Sequence, residues 1–141
     1  MVERKVITFV LDSSAVLRYI DNEAGGDRVK AIFETCVRGQ AAMRISALQW
    51  GEIAGRLRKR LGPSAATRVL DSLMPTELQI VPATGEHAVR AAGLRLDRKI
   101  PYADGFALDL AIGSSEHVLV TADYDFKAVA DLARIEFLPA K

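Results

Sequence analysis

The chain has 141 residues, half of them apolar and about a quarter charged, with a formal net charge of +1. That length and balance predict one compact domain over residues 1–141 with a sizeable apolar core. They exclude a molecule whose overall charge draws it to nucleic acid, so any basic footprint is a local patch. A lone cysteine, Cys36, excludes an intrachain disulfide and suits a reducing compartment.

VITFVL, residues 6–11, is a continuous, β-branched run that predicts a strand buried on both faces of a parallel sheet. It is too short for a signal-peptide core or a membrane span, so the expected location is the cytoplasm with no membrane partner. Asp12 and Ser13 follow it directly. Val29, Ile32, Phe33, Cys36 and Val37 then share one helical stripe. A short strand over 43–46 leads into a helix whose stripe is Trp50, Ile53 and Leu57, with Glu52 one to two turns in. Gly62 and Pro63 break the chain, and Pro63 suits the start of the next helix, striped by Ala66, Val69, Leu70, Leu73 and Met74.

A strand over 78–81 precedes the basic residues Arg95, Arg98 and Lys99 and then Pro101. The next segment, YADGFALDLA, reads as an apolar helix, yet it carries Asp104, Gly105 and Asp109, all poor helix formers. A strand over 118–121 runs into Ala122-Asp123-Tyr124-Asp125, and a last strand covers 135–138. Strands alternating with helices predict a three-layer α/β/α sandwich around a mostly parallel sheet of about five strands. Ligands of such sheets bind beyond the carboxyl ends of the strands.

Asp12 and Asp123 both follow predicted strands, and Glu52 and Asp104 lie near the starts of helices at the same sheet edge. Each has a plain structural reading. Asp12 can cap a helix, Asp104 can face a helix dipole, Glu52 can pair with Arg56, and Asp123 can shape a turn. Together they form a set of like charges that is costly unless protonated or held by a cation. With no thiolate or histidine pattern beside them, an oxygen-only set favours Mg2+ or Mn2+. His87 and His117 show no ligand spacing, and Cys36 sits on an apolar stripe as a core thiol. No glycine-rich phosphate loop is present, which argues against nucleotide-dependent chemistry.

VLDSSAVL, SALQWGEIAGRLRKR, ADGFALDLA and LVTADYDF, in that order, resemble the four motifs of PIN-domain nucleases, in particular VapC-type ribonuclease toxins of type II toxin–antitoxin pairs. The resemblance covers nearly the whole chain. It implies a PIN-like fold and a Mg2+- or Mn2+-dependent endoribonuclease, in which the acids place metal and an activated water attacks phosphorus. The acidic quartet is then Asp12, Glu52, Asp104 and Asp123, with Asp125 either an auxiliary acid or the actual fourth ligand. Thr121 resembles the hydroxyl that orients the carboxylates, and Ser13 helps likewise. Gly105 stands where the family often has alanine or a larger residue, and is expected to loosen that turn. Asp109 lies about 140° round the helix from Asp104. This places it outside the metal site and leaves its role open.

The implied partners are RNA (transfer, ribosomal or messenger), a cognate antitoxin seated in a groove of the early helices near Trp50 and the helix pair split by Gly62–Pro63, and a second copy in a homodimer. Arg56, Lys59 and Arg60 share the helical face of Glu52 and are the expected RNA contacts, with Arg95, Arg98 and Lys99 as a second cluster. Trp50 belongs either to the core or to the antitoxin groove. Two alternatives stand beside this reading. One is a phosphatase with an aspartyl nucleophile at Asp12, although Ser14 stands where such enzymes need a second aspartate. The other is a catalytically degenerate interaction module.

Overall fold

In the computed structural model, which describes residues 6–141, the chain lays down five strands separated by helices. β1 (Thr8–Leu11) leads into α1 (Ser13–Ile20) and α2 (Gly26–Val37), and β2 (Ala42–Ser46) into α3 (Ala47–Leu61) and α4 (Pro63–Leu73). β3 (Leu78–Val81) is followed by α5 (Gly85–Arg98) and α6 (Tyr102–Ala111), and β4 (His117–Thr121) by a 3-10 turn (Tyr124–Val129) and β5 (Arg134–Phe137).

The strands form one sheet in the order β3-β2-β1-β4-β5, and every neighbouring pair is parallel. The chain builds outward from β1 to one side and then returns to build out the other. The junction of β1 and β4 is therefore the point where strand order reverses, the usual ligand-binding crevice of open α/β sheets. Leu11 pairs with Val120 there, so the residues just beyond them, Asp12 and Thr121, stand side by side.

Alternation along the strands splits the core between the two faces. Leu11, Ile45, Val118 and Val120 pack with α1 to α4, whereas Val10 and Leu119 pack with α6 and the 3-10 turn. Both faces are covered, which is why the strands read as unbroken apolar runs rather than as alternating ones. The first strand is shorter than the run 6–11 suggests. Its neighbours supply partners only from Thr8 onward, at Ala42 and His117, and Val6 is exposed. The last strand is offset by one residue from 135–138, although Leu138 still donates its N–H to the Thr121 carbonyl at 2.8 Å.

On the helical stripes, Val29, Ile32, Phe33, Cys36, Ile53 and Leu57 are buried, and Trp50 packs partly buried against the same cluster. Two stripe residues are not core. Val37 closes α2 and is 58% exposed, and Met74, at the 3-10 turn after α4, is half-exposed. A period fixes a face but not where the neighbouring element stops covering it.

The packing of α5 on α6 explains the odd residues of YADGFALDLA. A Cβ on Gly105 would lie 2.8 Å from the Ala91 carbonyl oxygen. Glycine does not loosen this turn; it lets two helices approach closer than alanine allows. Asp109 accepts hydrogen bonds on both oxygens from Arg90 Nε, at 3.1 and 3.0 Å, and lies 3.5 Å from His87 Nε2. His87, itself buried, bonds through Nε2 with the Phe106 carbonyl at 3.1 Å and meets the Phe106 ring edge-on. Asp109 is thus a tie between α5 and α6, at the far side of the helix from Asp104. Among the described residues, no helix is long and apolar enough to cross a membrane.

Gly105→Ala is expected to destabilise the chain by about 1–3 kcal/mol in urea denaturation, because the clash is with backbone. Gly55→Ala, where an added Cβ meets nothing, is the control and should gain up to about 1 kcal/mol. Equal effects of the two would remove the close-approach explanation.

Candidate functional site

Asp12 terminates β1 and caps α1, its Oδ1 accepting the Ala15 N–H at 2.9 Å. The same oxygen accepts from Ser14 Oγ at 2.7 Å, and Oδ2 accepts from Thr121 Oγ1 across the strand junction. Ser14 Oγ in turn accepts the Ala122 N–H at 2.9 Å, and Thr121 Oγ1 accepts that of Asp123 at 2.9 Å. These bonds pin the ends of β1 and β4 together around a carboxylate that is only 2% exposed. Burial dominates despite the donors, with the Asp123 charge adding a little, and pushes the Asp12 carboxyl up to about 6.

The hydroxyl work expected of Ser13 falls to Ser14. Ser13 contributes its backbone N–H instead, donated to Gln49 Oε1 at 2.7 Å. Gln49 was not among the expected site residues. Its Nε2 donates to the Ala103 carbonyl at 3.0 Å and to Asp104 Oδ1 at 3.3 Å. One buried amide on α3 therefore joins the start of α1 to the start of α6. The sequence does hold a signal for it: Gln49, Ile53 and Leu57 follow helical spacing, so an amide heads an otherwise apolar buried stripe.

Asp104 sits in the first turn of α6, which begins after Pro101. Its carboxyl is pushed up to about 6, first by burial and then by the charges of Asp12, Asp123 and Glu52, while the Gln49 bond acts in the other direction. Glu52 projects from the exposed side of α3. Its carboxyl is raised by partial burial and lowered by Arg56, one turn on. Asp123 caps the 3-10 turn by accepting the Asp125 N–H at 2.9 Å. Asp123, not Asp125, is the acid whose charge acts on both Asp12 and Asp104. Asp125 is exposed and opens on a different cleft, beside Arg98 and Lys99.

Of the expected basic contacts, Arg56 and Arg60 line a cleft of about 510 Å3 that also holds Ser14 and Asp123. Arg60 is engaged there by Asp21, with two hydrogen bonds of 2.6 and 3.0 Å. Lys59 is exposed but lies outside that lining, and Arg98 pairs with Asp131.

The four acids offer oxygen donors only, and the charges of Asp12, Asp123 and Glu52 all act to raise the Asp104 carboxyl. This is the chemistry that suits a hard divalent cation. Among the described residues, however, no three His, Cys, Asp or Glu side chains stand close enough together to hold one metal ion. The donor types fit a cation; the side chains form a neighbourhood rather than a finished cage.

Comparison with known proteins follows the same lines. The PIN domain family model matches residues 9–132. Among solved structures, the chain is similar to VapBC2 from Rickettsia felis bound to a DNA fragment from their promoter. The identity is 16% over 94% of this chain and 100% of that one, with a TM-score of 0.70. It is similar to DNA-bound VapBC from Salmonella typhimurium, at 20% identity over 94% and 98% of the two chains and a TM-score of 0.68. It is also similar to VapC20 from Mycobacterium tuberculosis, a Sarcin-Ricin loop cleaving toxin, at 17% identity over 94% and 99% of the chains and a TM-score of 0.62. At these identities the likeness is one of fold. No match was found among curated protein sequences.

Folding raises the Asp12 and Asp104 carboxyls from an ordinary 3.8 to about 6. Between those values the folded chain holds more protons than the unfolded one, so stability falls as pH rises through that window. Metal-free Asp104→Asn is therefore expected to exceed the parent by about 1 kcal/mol at neutral pH, after allowing for solvent screening, and to match it near pH 4. Urea denaturation at the two pH values measures this. A stability difference independent of pH would rule out a carboxyl raised by burial and acidic neighbours at Asp104.

Proposed function

The chain belongs to the PIN domain family, and from that footing we propose that it is a metal-dependent endoribonuclease, the toxin of a toxin–antitoxin pair. The observation that carries the reading is the gathering of Asp12, Asp104, Asp123 and Glu52 at the reversal point of the sheet, with two carboxyls raised by burial and by their acidic neighbours. Outside a cation site, such a cluster is a net cost to the fold.

In this reading Asp12, Asp104 and Asp123 would hold Mg2+ or Mn2+, with Glu52 completing the set from α3, once the cation draws the carboxylates together. When bound, the cation supplies charge neutralisation at the phosphodiester and activation of the attacking water. The chain's own residues do the rest. Ser14 and Thr121 fix the orientation of Asp12, and Gln49 fixes Asp104 against the start of α1. Arg56 takes a backbone phosphate on the cleft wall, while Arg60, already held by Asp21, and Lys59, outside the lining, contribute through their field. Asp12 is almost fully enclosed with both oxygens accepting hydrogen bonds, which supports a holding role over that of a phosphoryl-accepting nucleophile.

RNA cleavage by the purified chain tests the core of the proposal. Total RNA should be cut with Mg2+ or Mn2+ and left intact with chelator. Asp104→Asn should lower the rate by about a hundredfold or more, as loss of a metal-holding or charge-stabilising group does. Cleavage that persists in chelator, or in the variant at the parent rate, would discard the mechanism.

Two apolar surfaces support the expected protein partners. A cleft of about 340 Å3 on the outside of α1 and α2 is lined by Tyr19, Phe33 and exposed Val37, and suits an antitoxin segment. VapBC complexes are among the similar structures. On α5, Val89 is 73% and Leu96 79% exposed, with Gly93 between them, and this face suits a second copy. Leu96→Glu should yield a monomer by light scattering yet still be inhibited by the protein encoded beside the chain. Val37→Glu should stay dimeric and escape inhibition. The reverse pattern would exchange the two surfaces.

A further inference from the structure

The chain leaves one cleft and enters another immediately after Asp123. Asp123 lines the cleft of Arg56. The next two residues, Tyr124 and Asp125, line a second cleft of about 410 Å3 together with Arg98 and Lys99. Consecutive residues, Asp123 and Tyr124, thus line two different clefts.

Tyr124 is 40% exposed, yet its ring is not free to swing. Its hydroxyl donates to the Leu138 carbonyl at 2.8 Å, its ring meets Phe137 edge-on at 5.8 Å, and Lys127 Nζ lies 4.9 Å from the ring centre. The polar tip is anchored and part of the ring stays exposed beside the Lys127 ammonium, so a base can stack on it with that charge close by.

Lys99 ends α5 with φ 57° and ψ 40°. Glycine is the inexpensive residue for that left-handed position, and a lysine there is strained. The helix dipole favours a cation at this end but offsets only part of that strain. A charge needed at this spot accounts for the lysine, because the side chain is exposed and forms no ion pair among the described residues, unlike its neighbour Arg98. Asp125 repels phosphate at its own end of the cleft and leaves the Lys99 end for it.

We propose that this second cleft seats the single-stranded RNA nucleotide next to the scissile phosphate, with its base stacked on Tyr124 and its phosphate against Lys99. The inference rests on the endoribonuclease reading and extends it, by giving the strand a path across Asp123 from the Arg56 cleft to the Tyr124 cleft. Stacking on tyrosine tolerates any base, so this subsite fixes the position of the cut more than its sequence.

The test is binding of a short single-stranded RNA, followed by fluorescence anisotropy in an Asp104→Asn background that leaves the strand intact. Tyr124→Leu should weaken binding by about tenfold or more, and Tyr124→Phe should restore most of it. An abasic nucleotide scanned along the strand should cost the parent a similar factor at one position, and cost nothing further there in Tyr124→Leu. Lys99→Gly should raise the melting temperature while weakening binding and lowering the salt slope by about one. Losses that multiply at every abasic position, or a Lys99→Gly variant with unchanged affinity and slope, would overturn the proposal. If the parent cleaves RNA but shows no such coupling, the subsite alone falls. If it neither binds nor cleaves RNA, the functional reading falls with it.

Discussion

Taking one carboxylate out of water costs several kcal/mol unless hydrogen bonds replace its hydration. At Asp12 the replacement comes from three directions: the Ala15 N–H from the helix that follows, the Ser14 hydroxyl, and the Thr121 hydroxyl from the neighbouring strand. Much of the architecture exists to deliver those donors. β1 and β4 must be adjacent and in register for Thr121 to reach the acid, and α1 must start immediately for its N–H to point inward. The donors lower the acid's pKa without cancelling the effect of burial, so Asp12 stays raised. The remaining deficit is what a bound cation would offset.

Asp104 depends on a second scaffold. It stands on α6, whose position is fixed by glycine-permitted contact with α5 and by the tie of Asp109 to Arg90 and His87. Gln49 then links α6 to α3 and to the start of α1. The two acids of YADGFALDLA have opposite duties: Asp104 faces the site, and Asp109 holds the helix that carries it. Arg90 is exposed and Asp109 nearly enclosed, so the tie contributes position more than net stability.

Much of this was legible in the sequence because it depends on local pattern. Unbroken apolar runs ending in an acid marked the strands and the sheet edge, and the motif order pointed to the family. The clustering of Asp12, Glu52, Asp104 and Asp123 followed from that edge. Pairwise geometry was not legible. Ser13 and Ser14 are equivalent by position, and only the helix start decides which hydroxyl turns toward Asp12. The helix-packing role of Gly105 requires knowing that Ala91 lies opposite, and Arg60 looks free until Asp21 is seen beside it. Val37 follows the period of the core and still faces solvent, because a period records a face and not the extent of its cover.

The hydrogen bond that closes the site joins residues 109 positions apart in the chain. Asp12 is synthesised well before Thr121, with β2, β3 and most of β4 between them. A chain still being made therefore carries Asp12 for a time with neither the strand nor the hydroxyl that completes its setting. Loop closure over such a span is also among the slower steps of folding. Order of synthesis therefore sets an order of assembly: Asp12 gains its Thr121 partner only once β4 has been made.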